Sequence, residues 1–149
     1  MRYRARPPLN RQNHSNSCWA AAIDSFSRIN SSIPTMRESD LAPRWGDAAN
    51  AYGLTLPKLR SMVATDLAPH GCRLEETPSL SLPYDIEDKL ATSHVVFIWA
   101  VGGTNWHAGV VYGIDDSTMS YMETRTGEYR SRAWSFFANP TGYFQIWRP

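Results

Sequence analysis

The chain has little cysteine, little net charge and no long apolar run, and each shortage removes a class of protein. Cys18 and Cys72 are the two cysteines among 149 residues, too few for the disulfide framework of a small secreted domain. They do not form the close C-x2-C pairs that mark zinc sites, so neither a metal nor another cofactor is expected. A formal net charge of +1 gives no electrostatic reason to expect nucleic acid or a membrane as partner. No apolar run approaches the roughly 18 residues of a membrane span. The charged amino end has no apolar core behind it, which excludes a signal peptide there. The expectation is a protein made in a cytoplasm and, if exported, carried by a specialised secretion system. No internal repeat is visible.

What is present suits one domain. The length accommodates a single core, and the composition, 42% hydrophobic and 19% charged, is ordinary for a globular chain. Residues 1–11 carry Arg2, Arg4 and Arg6 ahead of Pro7-Pro8 and are expected as a flexible basic segment, with residues 12–149 as the domain. From 17 to 29 the pattern is helical. Trp19, Ala22, Ile23, Phe26 and Ile29 make an apolar stripe, Asp24 and Arg28 form an i,i+4 pair opposite it, and Ser15, Asn16 and Ser17 are competent caps before it. Residues 30–56 are turn-rich, with a short helix near 36–41. Pro57 is placed to open a helix running to about residue 67. Residues 68–83 read as irregular and 85–92 as another short helix.

Beyond that point the character changes. Segments 94–101, 107–114, 118–123 and 142–147 are rich in β-branched and aromatic residues and bounded by turn residues, with Gly102-Gly103 as a hairpin turn. Helices first and strands afterwards predict an α+β domain, its helical part packed on a C-terminal antiparallel sheet.

Three residues carry candidate chemistry. Cys18 opens the first helix, where unpaired amides and the positive dipole end favour thiolate. His107 opens a strand beside the small residues Ala108 and Gly109, which allow another element to approach closely. Glu123 ends the next strand, where antiparallel pairing can bring a carboxylate beside position 107 to fix the imidazole's tautomer. Asn105, Asp115 and Asp116 are rivals for that last role, although Asp115-Asp116 beside Ser117 is also ordinary turn chemistry. His70 and His94 read as structural, and Cys72 as an inert or surface thiol. Trp99, Trp106 and Trp134 are candidates to line a cleft.

The segment Gln12-Asn-His-Ser-Asn-Ser-Cys18-Trp19-Ala20-Ala21 resembles the nucleophile motif of papain-like cysteine peptidases. The segment running from Trp106 and His107 to Asp115 and Asp116 resembles their histidine strand. Both are most similar to compact bacterial members, the bacteriocin-leader peptidases and the plant-pathogen effector proteases. The resemblance implies a papain-like fold built on a central nucleophile helix, with Cys18 attacking an acyl carbon and His107 moving the proton. It implies Gln12 as an oxyanion donor beside the Cys18 amide, with His14, Trp19 and Trp106 bordering the cleft. Glu123 departs from the pattern, since the family has Asp or Asn there.

The expected function is a cysteine endopeptidase that cuts a specific protein through an acyl-enzyme, as a toxin or effector delivered into another cell. A protease without an inhibitory segment endangers its maker, so a cognate immunity protein is the expected partner besides the substrate. The alternatives are an amidase, deamidase or acyltransferase using the same triad, and a binding module that has lost catalysis.

Overall fold

The computed structural model describes residues 1–77, 84–102, 105–137 and 142–149. Their order is β1 (Arg2–Tyr3), α1 (Cys18–Ile29), α2 (Glu38–Trp45), α3 (Leu56–Met62), β2 (Arg73–Thr77), α4 (Tyr84–Leu90), β3 (Val95–Gly102), β4 (Asn105–Ile114), β5 (Thr118–Glu123), β6 (Glu128–Ala133) and β7 (Tyr143–Trp147). The strands form one antiparallel sheet in the order β2-β7-β3-β4-β5-β6, with β1 added to β4. The α+β expectation therefore holds, with the helices before the main sheet.

Strand alternation sorts the apolar residues into two layers. Val96, Ile98, Ala108, Val110, Met122, Phe144 and Ile146 face α1, where Trp19, Ile23 and Phe26 meet them. Val95, Phe97, Trp99, Val111, Met119 and Tyr121 face the other way, onto Ile86 and Leu90 of α4 and onto Phe137. Helix α3 begins as the Pro57 reading requires, with Thr55 Oγ1 accepting from the Lys58 amide at 3.4 Å. Beyond Met62 its last turns loosen to i→i+5 geometry over Val63–Leu67. The helix expected at 36–41 sits slightly later, as α2.

One expectation is corrected, and two segments for which no strand was expected join the sheet. Residues 68–83 are not wholly irregular, because Arg73–Thr77 pairs with β7 as an edge strand. Residues 128–133 form the opposite edge, β6. Both carry charges at half or more of their positions, as edge strands do, which hides the apolar alternation. The segment 1–11 is laid across the fold. Arg2 and Tyr3 pair with Ile114 and Gly113, Ala5 O contacts the His94 ring at 2.6 Å, Ser25 Oγ donates to Pro8 O at 2.6 Å, and Asn10 Nδ2 donates to Ala21 O at 3.0 Å. The turn expected at Gly102-Gly103 includes Gly103, which lies outside the described residues.

These contacts explain why α1 is more enclosed than its sequence suggests. All residues from Cys18 to Ser27 are buried, Asp24 included. Asp24 accepts from Arg28 Nε at 2.8 Å and from the Glu38 amide at 2.9 Å. The helix is covered by the sheet on one side and by 7–10 and 33–42 on others.

Gly109 sets the distance between β4 and β5. A Cβ there would lie 2.8 Å from the Met122 carbonyl oxygen and 2.9 Å from the Tyr121 ring. The first of these is backbone and cannot move aside. Gly109→Ala is expected to lower stability by about 1–3 kcal/mol, read as a shifted denaturant midpoint; an unchanged midpoint would show that the strands part without cost.

Candidate functional site

The amino end of α1 meets the start of β4. Cys18 is the first residue of the helix, and its Sγ lies 3.8 Å from the carbonyl oxygen of Trp106, the residue before His107. Ala108 is fully buried under the helix, so the smallest apolar side chain stands where the two elements touch. The sulfur is thereby placed against the stretch of backbone that carries the imidazole.

Strand register supplies the carboxylate. Glu123 is the direct cross-strand partner of Gly109, which puts it on the same face as His107 and diagonal to it. His107 Nε2 is hydrogen-bonded to Glu123 Oε1, and the Arg125 amide donates to that same oxygen at 3.0 Å. Burial pushes the Glu123 carboxyl up, but the His107 bond and charge, the Arg125 amide and the Arg125 guanidinium outweigh it and hold the group below its ordinary value. With Nε2 committed to the carboxylate, Nδ1 is the ring nitrogen left to exchange a proton. Trp99, the cross-strand partner of His107, stands edge-on to the imidazole with ring centroids 5.0 Å apart.

Two of the rivals for this role, Asp115 and Asp116, fall elsewhere. Asp115 lies at the far end of β4, accepting from the Ser117 and Thr118 amides and from the Tyr3 hydroxyl. The Ser117 and Thr118 amides above all take its carboxyl down to about 2. It is a turn residue, and Asp116 follows it in the same turn. The side chain of Asn105 lies outside the described residues.

Two features differ from what local sequence suggests. Burial pushes the Cys18 thiol up to about 11, although the amides of Ala108 and Trp19 and the charge of Arg125 pull the other way. The resting sulfur is therefore a neutral thiol at pH 7, because desolvation outweighs the helix end. Ser17 occupies the cap position of α1, yet its hydroxyl makes no cap bond. It is turned instead toward Glu38 Oε2, at 2.8 Å. The first amides of the helix are thus left without a side-chain acceptor.

Glu38 was not marked by any sequence motif. It is 2% exposed, and its Oε2 accepts from both the Asn13 amide and Ser17 Oγ at 2.8 Å. It ties the loop before Cys18 to α2. A lone glutamate in a turn-rich stretch offers no signal for this.

Gln12 lies at the mouth of the site, but its Nε2 donates to the carbonyls of His14 and Ser15 at 2.9 and 3.0 Å. Both amide hydrogens are engaged, so donation to an oxyanion requires the side chain to give up one of these bonds. The Gln12 backbone amide donates to Thr124 O at 2.7 Å, tying the loop to the residue after Glu123.

A groove of about 600 Å³ opens beside these residues, lined by Trp19, Trp106, His107, Leu59, Ile98 and Phe144 among others. Trp106 is exposed and packs on Phe144. Trp19 is buried, and its Nε1 donates to Tyr52 O at 2.9 Å. His14 does not line the groove; its ring rests on Tyr52 with centroids 4.7 Å apart. Trp134 donates to Asp115 O at 3.4 Å, away from the groove. Cys72 is buried rather than at the surface. Among the described residues no His, Cys, Asp and Glu cluster could hold a metal ion, and no helix is long and apolar enough to cross a membrane.

No family model matches the chain, and no curated protein matches it. Solved structures do. The chain is similar in fold to the peptidase domain of Streptococcus ComA, a bi-functional ABC transporter involved in a quorum-sensing pathway. The TM-score is 0.67 at 14% sequence identity, over 95% of this chain and 98% of that domain. The papain-like fold implied by the two motifs is the fold this chain has.

Proposed function

We propose that the chain is a cysteine endopeptidase in which Cys18 attacks a peptide carbonyl, His107 moves the proton and Glu123 orients the imidazole. The observation that carries this is the position of the Cys18 sulfur against the carbonyl oxygen of Trp106, the residue before His107, while Glu123 holds one nitrogen of the His107 ring. The likeness in fold to a peptidase domain supports it.

The sequence of steps follows from the chemistry of these groups. With a neutral resting thiol, His107 acts as general base: the Sγ proton passes to Nδ1 as the sulfur bonds to the carbonyl carbon. Glu123 stabilises the imidazolium that forms. The uncapped amides at the start of α1 face the developing oxyanion, and Gln12 joins them once it leaves one of its loop carbonyls. The imidazolium then protonates the leaving amine, giving an acyl-enzyme, which water hydrolyses with His107 again as base.

One observation favours a second reading. The raised Cys18 thiol is what a silent binding module would show. Labelling with a thiol-reactive epoxide at neutral pH separates the two. The peptidase reading expects Cys18 to be modified faster than Cys72, an advantage abolished in His107→Ala; equal rates in the wild type support the silent module. Cys18→Ala is expected to lower peptide cleavage by about 10³-fold or more without unfolding the protein.

The finer role, a toxin or effector delivered into another cell and restrained by a cognate immunity protein, rests on the motif resemblance. Expression of wild type and Cys18→Ala in a susceptible bacterium tests it: growth arrest by the wild type alone is expected, and equal harmlessness counts against it.

The Glu123 pairing has a pH signature. A carboxyl held below its ordinary value stabilises the fold above the unfolded value, near 4.5, and loses that contribution as pH falls through the folded one. Glu123→Gln is therefore expected to melt below the wild type at pH 6–7 and to converge with it in acid. Parallel melting curves at every pH would show that the carboxylate contributes nothing through its charge.

A further inference from the structure

A second cavity, of about 220 Å³, lies behind the imidazole. It shares His107 and Arg125 with the groove, so these two side chains form the wall between the two spaces. Its other lining residues are Trp99, Glu123, Thr126, Arg130, Arg132 and Phe136. Three guanidinium groups thus surround one small space that contains a single carboxylate, and that carboxylate is already engaged by the His107 ring and the Arg125 amide.

The arginines are placed by strand geometry. Arg130 and Arg132 are two apart on β6, hence on one face, opposite Tyr121 and Met119 of β5. Arg125 comes from the turn joining these strands. The Nε atoms of Arg130 and Arg132 are both buried and have no hydrogen-bond acceptor among the described residues. Arg132 lies over the Phe136 ring, 4.6 Å from its centroid. Arg130 reaches the exposed Glu128 at 3.0 Å through NH2, which leaves its Nε free. Arg125 makes no ion pair among the described residues, and its charge is felt at both Glu123 and Cys18. Buried donors normally find an acceptor. Two lack one on side chains lining the same cavity; the buried Tyr121 hydroxyl interacts with Arg132, but no carboxylate among the described residues reaches either Nε, which describes a place for an oxyanion from outside.

We infer that this cavity is a subsite for a carboxylate on the leaving-group side of the substrate, held by Arg130 and Arg132 with Arg125 at its entrance. This rests on the peptidase reading. His107 must reach the leaving amine to protonate it, so the residues following the cut lie beside the imidazole, and the cavity begins on the imidazole's other side. A guanidinium presents paired donors that match a carboxylate. At about 30 Å³ per water, the space of about 220 Å³ corresponds to about seven waters, which is room enough for an acidic side chain. The carboxylate has two sources: an aspartate or glutamate side chain shortly after the cut, or the free carboxyl end of a chain cut near its terminus.

Two measurements test the inference. In the first, a proteome-derived peptide library is digested with wild type and with Arg130→Gln/Arg132→Gln, and the new termini are sequenced. The expected result is at least threefold enrichment of Asp and Glu within the first three positions after the cut, lost in the double variant. Enrichment of cuts close to peptide ends, without side-chain preference, assigns the site to terminal carboxylates instead. Cuts without either preference, or the same preference in the variant, overturn the subsite.

The second measurement does not require turnover, so it separates failure of the subsite from failure of the peptidase reading. Cys18→Ala protein labelled with 15N-arginine is titrated with acetyl-Asp-Glu-amide, acetyl-Asn-Gln-amide and acetyl-Gly-Gly with a free carboxyl end. The Nε–H signals of Arg130 and Arg132 are expected to shift with at least one carboxylate and not with acetyl-Asn-Gln-amide. No shift with either carboxylate, or equal shifts with all three, overturns the proposal even if the enzyme cleaves peptides.

Discussion

The contact on which this molecule depends is that between the amino end of α1 and the start of β4. It brings a sulfur from position 18 against backbone at 106–108, across 88 residues of chain. Two small residues make it close. Ala108 lies under the helix, and Gly109, one position on, lets β5 approach from the side. The same pair of residues therefore sets how closely the sulfur meets the backbone beside His107 and how closely the strand carrying Glu123 approaches that of the imidazole. A larger side chain at either position would push apart a different half of the constellation.

The electrostatics of that contact are a balance between burial and local donors. Desolvation raises the thiol more than the helix end lowers it, whereas at Glu123 the donors and positive charges win over the same penalty. The outcome is a neutral sulfur against the backbone that precedes His107, and an imidazole with one nitrogen anchored to an anion. Under the proposed peptidase reading, such an arrangement stores little charge before substrate arrives and creates it during attack, when the carboxylate and the uncapped amides are positioned to stabilise it. Turning Ser17 toward Glu38 serves this arrangement twice. It withdraws the natural competitor for the helix amides, and it braces the loop from which Gln12 projects.

Much of the fold was legible in the sequence where burial imposes a pattern. The stripe of Trp19, Ile23 and Phe26 marks α1, and the β-branched runs at 94–101 and 107–114 mark strands buried on both faces. Glu123 was legible because antiparallel register follows from a short turn. The edges were not legible, since Arg73–Thr77 and Glu128–Ala133 carry charges where inner strands carry apolar residues. Nor was the enclosure of Asp24, which reads as the solvent side of an amphipathic helix until the amino-terminal segment and α2 are seen to cover it. The helix-end rule for Cys18 failed because it is a local rule, and the depth of the site is a property of the whole fold. The arginines of β6 alternate with period two, yet nothing local says that they converge behind His107.

Strand β1 has a practical meaning for how the domain can be tethered. It joins β4 at Gly113 and Ile114, six or seven residues from His107, which is about 20 Å along an extended strand. The Tyr3 ring covers that end by lying over Gly113, where an added Cβ would clash with the ring. Cargo, a carrier module or an affinity handle linked ahead of Met1 therefore departs from the pole of the sheet remote from the groove. The groove is left clear by whatever is linked at that end.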